Sequence, residues 1–599
     1  MGKEISKRIF IDHYCFDVLN HLVTVSDFKS KHFDSNNITV IDDNTDLGML
    51  TKVNEEIMIF IVQPERQIFD IIVKIHFMLK TLKPNIVENI VFIPGENHDI
   101  IEYMTENNVK NDFNIESLNF DLLPIDIDLL SLERDNCLKE IYIENNYSSI
   151  DDLSNAVVKL ETCFGKIKNK YVKGNIAETF CKIVEEKEIE NDLNTKEEIL
   201  GMVVLDRSVD FMTLMATNYT CEGLIDDNFG IYLGKIKVKE NIIKENLNKN
   251  QVLSDKTLSY GLTSKINPFY CRFRCMHYVV GLKFIGFVKD YYQKLAGESK
   301  DAKKKLTLTQ LREFTEELNY YIAKVKDSLI MNENIINNSV EPLKNPNYLK
   351  VIEIEQLMLA GDLPNNLYKY YDEHLCQQRD LMSLIKLMIL ESLTQNGVKD
   401  YQRLKREIMN IYGYQKIFLF RDLENLGWLK EKQLLKSIKK NITEITYNQV
   451  CEKLELVKIN YNPSKLDDCS FILGGFCPLS LRIIENAIEG RWHKIIDTLK
   501  KMPGHTSCPD DETEISNPTK DNNIIFIVFV GGITYSEIEG IRFLNRKFKE
   551  EFENKKRKKK TQFIILTTGI LSSKKIFKIL DKDIHSSLTM KQFYEDNEK

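Results

Sequence analysis

The sequence predicts an α/β protein with two parallel-sheet regions, the second interrupted by an inserted helical block. Three observations carry that prediction. Residues 1 to about 145 alternate short apolar runs with helical stripes. Two strongly apolar runs, Met202–Leu205 and Ile524–Val530, lie far apart in the chain, and each reads as a strand buried on both faces of a parallel sheet. Between them, residues 266–459 carry long helical periodicity and few strand candidates.

Composition bounds the answer further. A chain of 599 residues exceeds what one core supports, so about three domains are expected. Its 43% apolar and 29% charged content are those of an ordinary soluble globular protein. A net charge of -7 provides no basic field for nucleic acid or an anionic membrane. The 12 cysteines stand singly, without a CxxC pair or a signal peptide, which predicts reduced thiols in the cytosol. No apolar run approaches the roughly 20 residues a spanning helix needs. Membrane contact is therefore expected only through partners.

Taken in order, the first domain (1–145) offers strands at Ile38–Ile41, Ile57–Val62 and Ile90–Ile93. Between the last two, Ile68, Ile71, Ile72, Ile75 and Leu79 recur at helical spacing. Strand–helix–strand units of this length imply a parallel, doubly wound sheet. The first part of the second domain (146–265) opens on a helical stripe, Leu153, Val157, Leu160 and Phe164, ending near Gly165, and reaches the strand at Met202. The helical domain (266–459) contains a hairpin over about 306–360, with helices Leu306–Asn338 and Tyr348–Ala360. Pro342 and Pro346 must break the chain between them, because proline lacks the amide donor and clashes with the preceding turn. A nearly all-apolar helix, Leu381–Leu393, ends at Asn396-Gly397 and is expected to be buried. The second part of the second domain (460–599) holds the Ile524–Val530 strand, the tight exit Gly531-Gly532, a helix with Ile538, Ile541, Leu544, Phe548 and Phe552 on one face, and the strand Phe563–Leu566. Residues His505–Asn523 read as an exposed, flexible loop.

Candidate chemistry is sparse. Asp206, Arg207 and Asp210 follow the Met202–Leu205 strand, where α/β folds place their sites. They fit an acid–base or magnesium pair, or structural residues in which the aspartates anchor Arg207 and cap the next element; the structural reading is favoured. No GxGxxG follows a strand, and no P-loop, GxSxG or HExxH occurs. Gly531-Gly532 alone is a weak phosphate signal. Cys271, Cys275 and His277 lack the spacing of a zinc finger, so buried thiols are expected. The basic run Lys555–Lys560 fits a solvated loop, with a nuclear signal or lipid contact as its rival. No catalytic group, metal or cofactor is expected.

Several stretches, in order along nearly the whole chain, resemble the Sec/Munc (SM) family of membrane-fusion regulators, and within it the vacuolar protein sorting thirty-three branch. They are Pro124-Ile125-Asp126-Ile127-Asp128 with Ser131-Leu132-Glu133; Leu205-Asp206-Arg207 with Asp210; and Thr220-Cys221-Glu222-Gly223-Leu224-Ile225-Asp226. Further on come Arg406-Glu407-Ile408 with Tyr412-Gly413-Tyr414, Gly475-Phe476-Cys477-Pro478-Leu479-Ser480, and Gly531-Gly532-Ile533-Thr534-Tyr535. Cysteine stands at 221 where the branch usually has tyrosine. The resemblance implies a three-domain arch, with the helical domain inserted into a discontinuous second domain. It implies a template for SNARE assembly rather than an enzyme, working in HOPS and CORVET tethering complexes with a sorting-sixteen-type propeller and solenoid subunit. Traffic to late endosomes, vacuoles or lysosomes is the implied process. SNARE contact is expected at Pro342, Pro346, Tyr348, Leu349 and Ile352 around the hairpin tip, with packing of Leu349 and Ile352 against the sister helix as the competing expectation. Asp206, Arg207, Asp210, Glu222, Gly223, Pro478, Gly531 and Gly532 are expected to be structural. The rival readings are an SM protein of the Golgi or plasma membrane, and an α/β enzyme using Asp206 and Asp210.

Overall fold

In the computed structural model, the strand Gly201–Asp206 lies in the middle of a seven-stranded sheet, every residue buried. It pairs in parallel with Asn523–Val530, from Gly201 opposite Ile525 to Asp206 opposite Val530. The two halves of the sheet are therefore joined across the long insertion. The described residues are 7–23 and 37–581, apart from 43–44, 46–54, 85, 96–97, 119, 121, 192–197, 245–255, 268, 303–311, 313–315, 317–324, 433–444, 459–460, 463–466, 510–522 and 556–559. Their placement defines two compact units, Met1–Pro124 and Ile125–Lys599.

The first unit carries a five-stranded, all-parallel sheet in the order Ile38–Ile41, Lys7–Asp12, Ile57–Val62, Val87–Phe92, Asn114–Ser117. Successive side chains of a strand point to opposite faces, and both faces here are covered. Phe10, Met58, Phe60, Ile90 and Phe92 pack with Phe69, Ile72, Ile75 and Leu79 of the helix Arg66–Leu82. Ile9 and Ile11 pack with Cys15 and Ile93 on the other side.

The seven-stranded sheet of the second unit runs Thr506–Ser507, Lys170–Lys173, Gly201–Asp206, Asn523–Val530, Thr561–Thr567, Leu129–Ser131, Leu123–Asp126. Residues 125–145, grouped with the first domain by sequence, belong to this unit: Leu129–Ser131 pairs in parallel with Thr561–Thr567. Three residues carry too little pattern to declare a partner; the long neighbouring strand sets their register. Thr506–Ser507 pairs with Lys170–Lys173, so the stretch read as a loop from His505 begins as an edge strand, while residues 510–522 lie outside the described residues.

Among the described residues of 266–459 every helix or strand is helical, from Tyr278–Ala302 to Tyr447–Lys453. The proline break forms as expected. The helix Lys326–Val340 gives way to a short 3-10 turn, Glu341–Lys344, and the chain re-enters a helix at Pro346–Leu359. Pro346 occupies the first turn of that helix, where its missing amide costs nothing. Asn345 caps it by accepting from the Asn347 amide at 2.9 Å. Most of the expected helix between Leu306 and Val325 lies outside the described residues. Leu381–Gln395 is capped by Asn396 in the left-handed conformation, and ten of its residues are buried.

Candidate functional site

Asp206, Arg207 and Asp210 are almost fully buried, at 2%, 1% and 1% exposure. The Asp206 carboxylate accepts from the amides of Ile176 at 2.9 Å and Ser208 at 3.0 Å, and from the Ser208 hydroxyl. It thereby meets the open amino end of the helix Asn175–Glu190, whose first amides have no partner of their own. Asp210 accepts from the Thr213 amide at 3.0 Å, the Thr213 hydroxyl at 2.7 Å and the Ser480 amide at 3.1 Å. Ser480 stands two residues past Pro478, the residue that precedes the helix Leu479–Ile488. Both carboxylates act as helix caps. A proton-transfer or magnesium role needs lone pairs that these amides occupy.

Arg207 is not held by the two aspartate carboxylates, as the sequence suggested. Its guanidinium forms a bidentate pair with Glu537, at 2.6 and 2.8 Å, and donates to the Asp210 carbonyl. Glu537 is fully buried and also closes a capping box with Thr534 at the start of Tyr535–Glu553. It further accepts from the Ser480 hydroxyl at 2.6 Å. Gly531 and Gly532, at φ +87° and +100°, turn the chain from the Asn523–Val530 strand toward this helix. A side chain on Gly532 would meet Leu571 at 2.3 Å. Asp206, Arg207, Asp210, Pro478, Gly531 and Gly532 are thus brought together as one structural hub.

Glu222 and Gly223 belong to a second cluster. Thr220 caps the helix Cys221–Phe229 by accepting from the Gly223 amide at 3.1 Å. A Cβ on Gly223 would lie 1.9 Å from the Asn218 side chain, so the motif requires glycine there. Glu222 pairs with Arg542 at 2.8 Å; Arg542 also holds Asp128 at 2.9 Å, and Arg274 holds Asp126 at 2.5 Å. The sequence singled out Glu222, Asp126 and Asp128 as motif residues but not their arginine partners. Glu539 lies beside them, accepting from the Asn218 side chain at 3.1 Å and from the Thr220 hydroxyl, and burial, outweighing the nearby Arg542 charge, pushes its carboxyl well above the usual carboxylate range.

Cys275 is buried and Cys271 partly so, and His277 is stacked between Tyr219 and Tyr278, its Nδ1 accepting from the Val279 amide at 3.3 Å. Among the described residues no group of three or more His, Cys, Asp or Glu side chains is arranged to hold a metal ion. Burial lowers the His277 pKa to about 4. The unfolded chain binds that proton near pH 6.5, so the stability His277 permits is present above 6.5 and is lost as pH falls toward 4. The native protein should lose about 2 kcal/mol more than His277→Gln between pH 7 and pH 5, read from urea midpoints. Equal losses would show that the ring is not held neutral.

The remaining candidates lie at the surface. Pro342 and Pro346 are exposed, Tyr348 and Ile352 are half-buried, and Leu349 is 44% exposed. Packing of Leu349 and Ile352 against the sister helix is the competing expectation, and most of residues 306–324 of that helix lie outside the described residues. Leu357 (45%) and Leu363 (36%) extend the exposed apolar surface along and beyond the same helix. Neither was evident from sequence, because apolar residues surround the whole of Pro346–Leu359 and only tertiary contacts decide which are covered. A second apolar patch surrounds the turn between Tyr401–Tyr412 and Lys416–Asn425. There Ile411, Tyr414, Ile417 and Phe418 are 37%, 72%, 49% and 45% exposed. Of the basic run, residues 556–559 lie outside the described residues. Among the described residues no helix is long and apolar enough to cross a membrane.

Comparison with known proteins gives a consistent result. The Sec1 family matches residues 7–578. The vacuolar protein-sorting-associated protein 33 homolog of Arabidopsis thaliana is 24% identical over 480 residues, 76% of each chain. Human vacuolar protein sorting-associated protein 33B is 24% identical over 530 residues, covering 82% of this chain and 81% of the relative. Among solved structures, the Unc18–syntaxin 1 complex of Monosiga brevicollis has a TM-score of 0.57 at 12% identity, covering 97% of this chain and 96% of that one. The SM protein Vps45 in complex with the Qa SNARE Tlg2 has a TM-score of 0.56 at 14% identity, covering 98% and 96%.

Proposed function

Because the chain belongs to the Sec1 family over residues 7–578, we propose that it binds SNARE proteins and aligns their helical segments for assembly, without catalysis. The observation that carries this reading is the exposed apolar face of Pro346–Leu359, with Leu349 and Leu357 at 44% and 45% exposure. An amphipathic partner helix buries such a face by laying its own apolar stripe along it. Holding a flexible segment in helical register beforehand lowers the ordering cost of the later bundle. Pro342 and Pro346 are exposed at the same end of the helix and Ile352 is half-buried, whereas Tyr348 lies on the Glu355 side, against Thr217 and Lys386. Solved relatives carry syntaxin 1 and Tlg2 as bound partners, which supports SNAREs as the ligand class.

The second patch favours a second, constitutive partner. Ile411, Tyr414, Ile417 and Phe418 expose aromatic and branched side chains on a different helix pair, the composition of an interface centre. A sorting-sixteen-type solenoid subunit of a HOPS or CORVET complex is the partner that the similarity to vacuolar sorting relatives supports. The protein then works at late endosomal, vacuolar or lysosomal membranes, reached through partners, with no role for nucleic acid. An SM protein serving Golgi or plasma-membrane SNAREs is the alternative, and a tagged pull-down separates the two by whether large tethering subunits accompany the SNARE.

Leu349→Asp with Leu357→Asp should weaken binding of a Qa-SNARE motif by roughly tenfold or more, about 1.4 kcal/mol. The melting temperature should stay within a few degrees of the parent, since both side chains are already half in water. Unchanged binding would refute this surface. A collapse of thermal stability would return the two leucines to the core.

A further inference from the structure

On the opposite side of the exposed stripe, the helix Pro346–Leu359 carries a single buried carboxylate, Glu355, at 0% exposure. One oxygen accepts from the Thr217 amide at 2.5 Å, and the other from the Thr217 hydroxyl at 2.9 Å. Lys386, on the buried helix Leu381–Gln395, approaches the second oxygen at 3.3 Å and donates to the same Thr217 hydroxyl at 3.3 Å. Thr217 lies just before the cap of the Cys221–Phe229 helix. Three segments of the chain therefore converge on one carboxylate.

The fully buried remainder of the inner face is apolar, Val351, Ile354, Met358 and Leu359; at its edge half-buried Tyr348 bonds Thr217 as well, and half-buried Gln356 donates to the Leu473 carbonyl at 3.2 Å. The buried apolar stripe selects which side of the helix faces the core, but apolar contacts are non-directional and define the rotation less sharply than hydrogen bonds. Hydrogen bonds demand direction as well as distance. Residues two apart on a helix differ by about 200° around its axis, so Glu355 and Leu357 point to nearly opposite sides. Fixing one aims the other.

We infer that Glu355, clamped by Thr217 and Lys386, is a positioning residue that sets the rotation of the docking helix and so presents Leu349 and Leu357 to a partner helix. This rests on the SNARE-docking reading and adds a residue that no partner touches. Without the clamp the helix samples neighbouring rotations, and the partner must select the correct one, which weakens apparent affinity. Lys386 also faces Tyr348 and Asp227, so it retains a carboxylate neighbour when Glu355 is changed.

The test uses the full chain with two readouts. A spin label at Lys350→Cys, an exposed position, reports rotational order of the docking helix, and a Qa-SNARE motif peptide reports binding. Glu355→Ala should increase label mobility and weaken peptide binding about tenfold, while Glu355→Gln, which keeps one carbonyl acceptor, should restore part of both. Exchanging the charges, Glu355→Lys with Lys386→Glu, supplies a further folded variant if Glu355→Ala is unstable, and it should retain more order than Glu355→Lys alone. Unchanged label mobility in Glu355→Ala, a Glu355→Gln variant as mobile as Glu355→Ala, or an exchange variant no more ordered than Glu355→Lys, would overturn the inference. If the parent protein binds no SNARE motif, the docking reading fails, while label mobility still decides whether Glu355 positions the helix.

Discussion

Glu537→Ala is expected to destabilise the protein by about 3–5 kcal/mol, the cost of leaving a buried charge without its partner. Arg207 is 1% exposed and cannot regain solvent without opening the core. Its Nε already lacks a partner, so the bidentate contact to Glu537 carries most of its compensation. The same substitution frees the Thr534 amide and hydroxyl and the Ser480 hydroxyl, all of which donate to Glu537. The double variant Arg207→Met with Glu537→Leu removes the charge together with its partner. Replacing a whole buried pair by apolar groups is far cheaper than breaking it. It should therefore be more stable than Glu537→Ala, which is the non-additivity expected of groups in direct contact. Urea unfolding of Glu537→Ala, of Arg207→Met and Glu537→Leu singly, and of the double variant reads this out. A loss below about 1 kcal/mol in Glu537→Ala would mean that the pair does not secure the hub.

The consequence reaches beyond stability. Arg207 follows the strand Gly201–Asp206, while Glu537 stands on the helix that leaves Asn523–Val530. The pair thus bolts together the two halves of a sheet that the helical insertion separates. In an enzyme the same location holds groups left open for substrate. Here each acceptor is satisfied by the protein itself.

Much of this architecture is legible in the sequence, for identifiable reasons. Ile524–Val530 and Met202–Leu205 announce themselves because a strand buried on both faces tolerates no polar residue. Pro342 and Pro346 mark the hairpin break because proline cannot continue a helix. The strand Lys7–Asp12 escaped notice although it is second in the five-stranded sheet: it begins on exposed or half-exposed Lys7 and Arg8, and only four residues are buried. The aspartates were recognised as a motif, but the side chains of a cap and of a catalytic base are the same. Only the placement of the Ile176, Ser208, Thr213 and Ser480 amides decides between them. The proposed docking face was legible in part. Leu349 was picked out by its nearness to the prolines, whereas Leu357 and the Ile411–Phe418 patch depend on which helix faces remain uncovered. That is a property of packing rather than of local pattern.

Arg542→Met should produce the other large loss, again about 3–5 kcal/mol near neutral pH, with a distinctive pH dependence. Arg542 bonds Asp128 through two nitrogens, at 2.9 and 3.0 Å, bonds Glu222 at 2.8 Å and lies 3.5 Å from Asp126. Burial by itself raises the pKa of Asp126 and Asp128, but the Arg542 and Arg274 charges outweigh it and hold both carboxyls below the usual range. Their stabilisation is therefore present above the unfolded carboxylate pKa and fades only as pH falls through the lower, folded value. Without Arg542 the sign reverses. Asp128 then faces burial with Arg274 as the nearest cation, protonation relieves it, and the variant gains stability relative to the parent as pH falls from 7 to 5. Urea midpoints of both proteins at those pH values should show the gap narrowing; a gap that widens on acidification would mean that the carboxyls do not depend on Arg542. Arg274 precedes the helix Tyr278–Ala302, Asp126 and Asp128 flank the turn that opens the second unit, and Glu222 stands in the first turn of Cys221–Phe229. Loss of Arg542 therefore loosens the root of the helical block, so the variant should also bind a SNARE motif less well at pH 7 and recover part of that binding at pH 5.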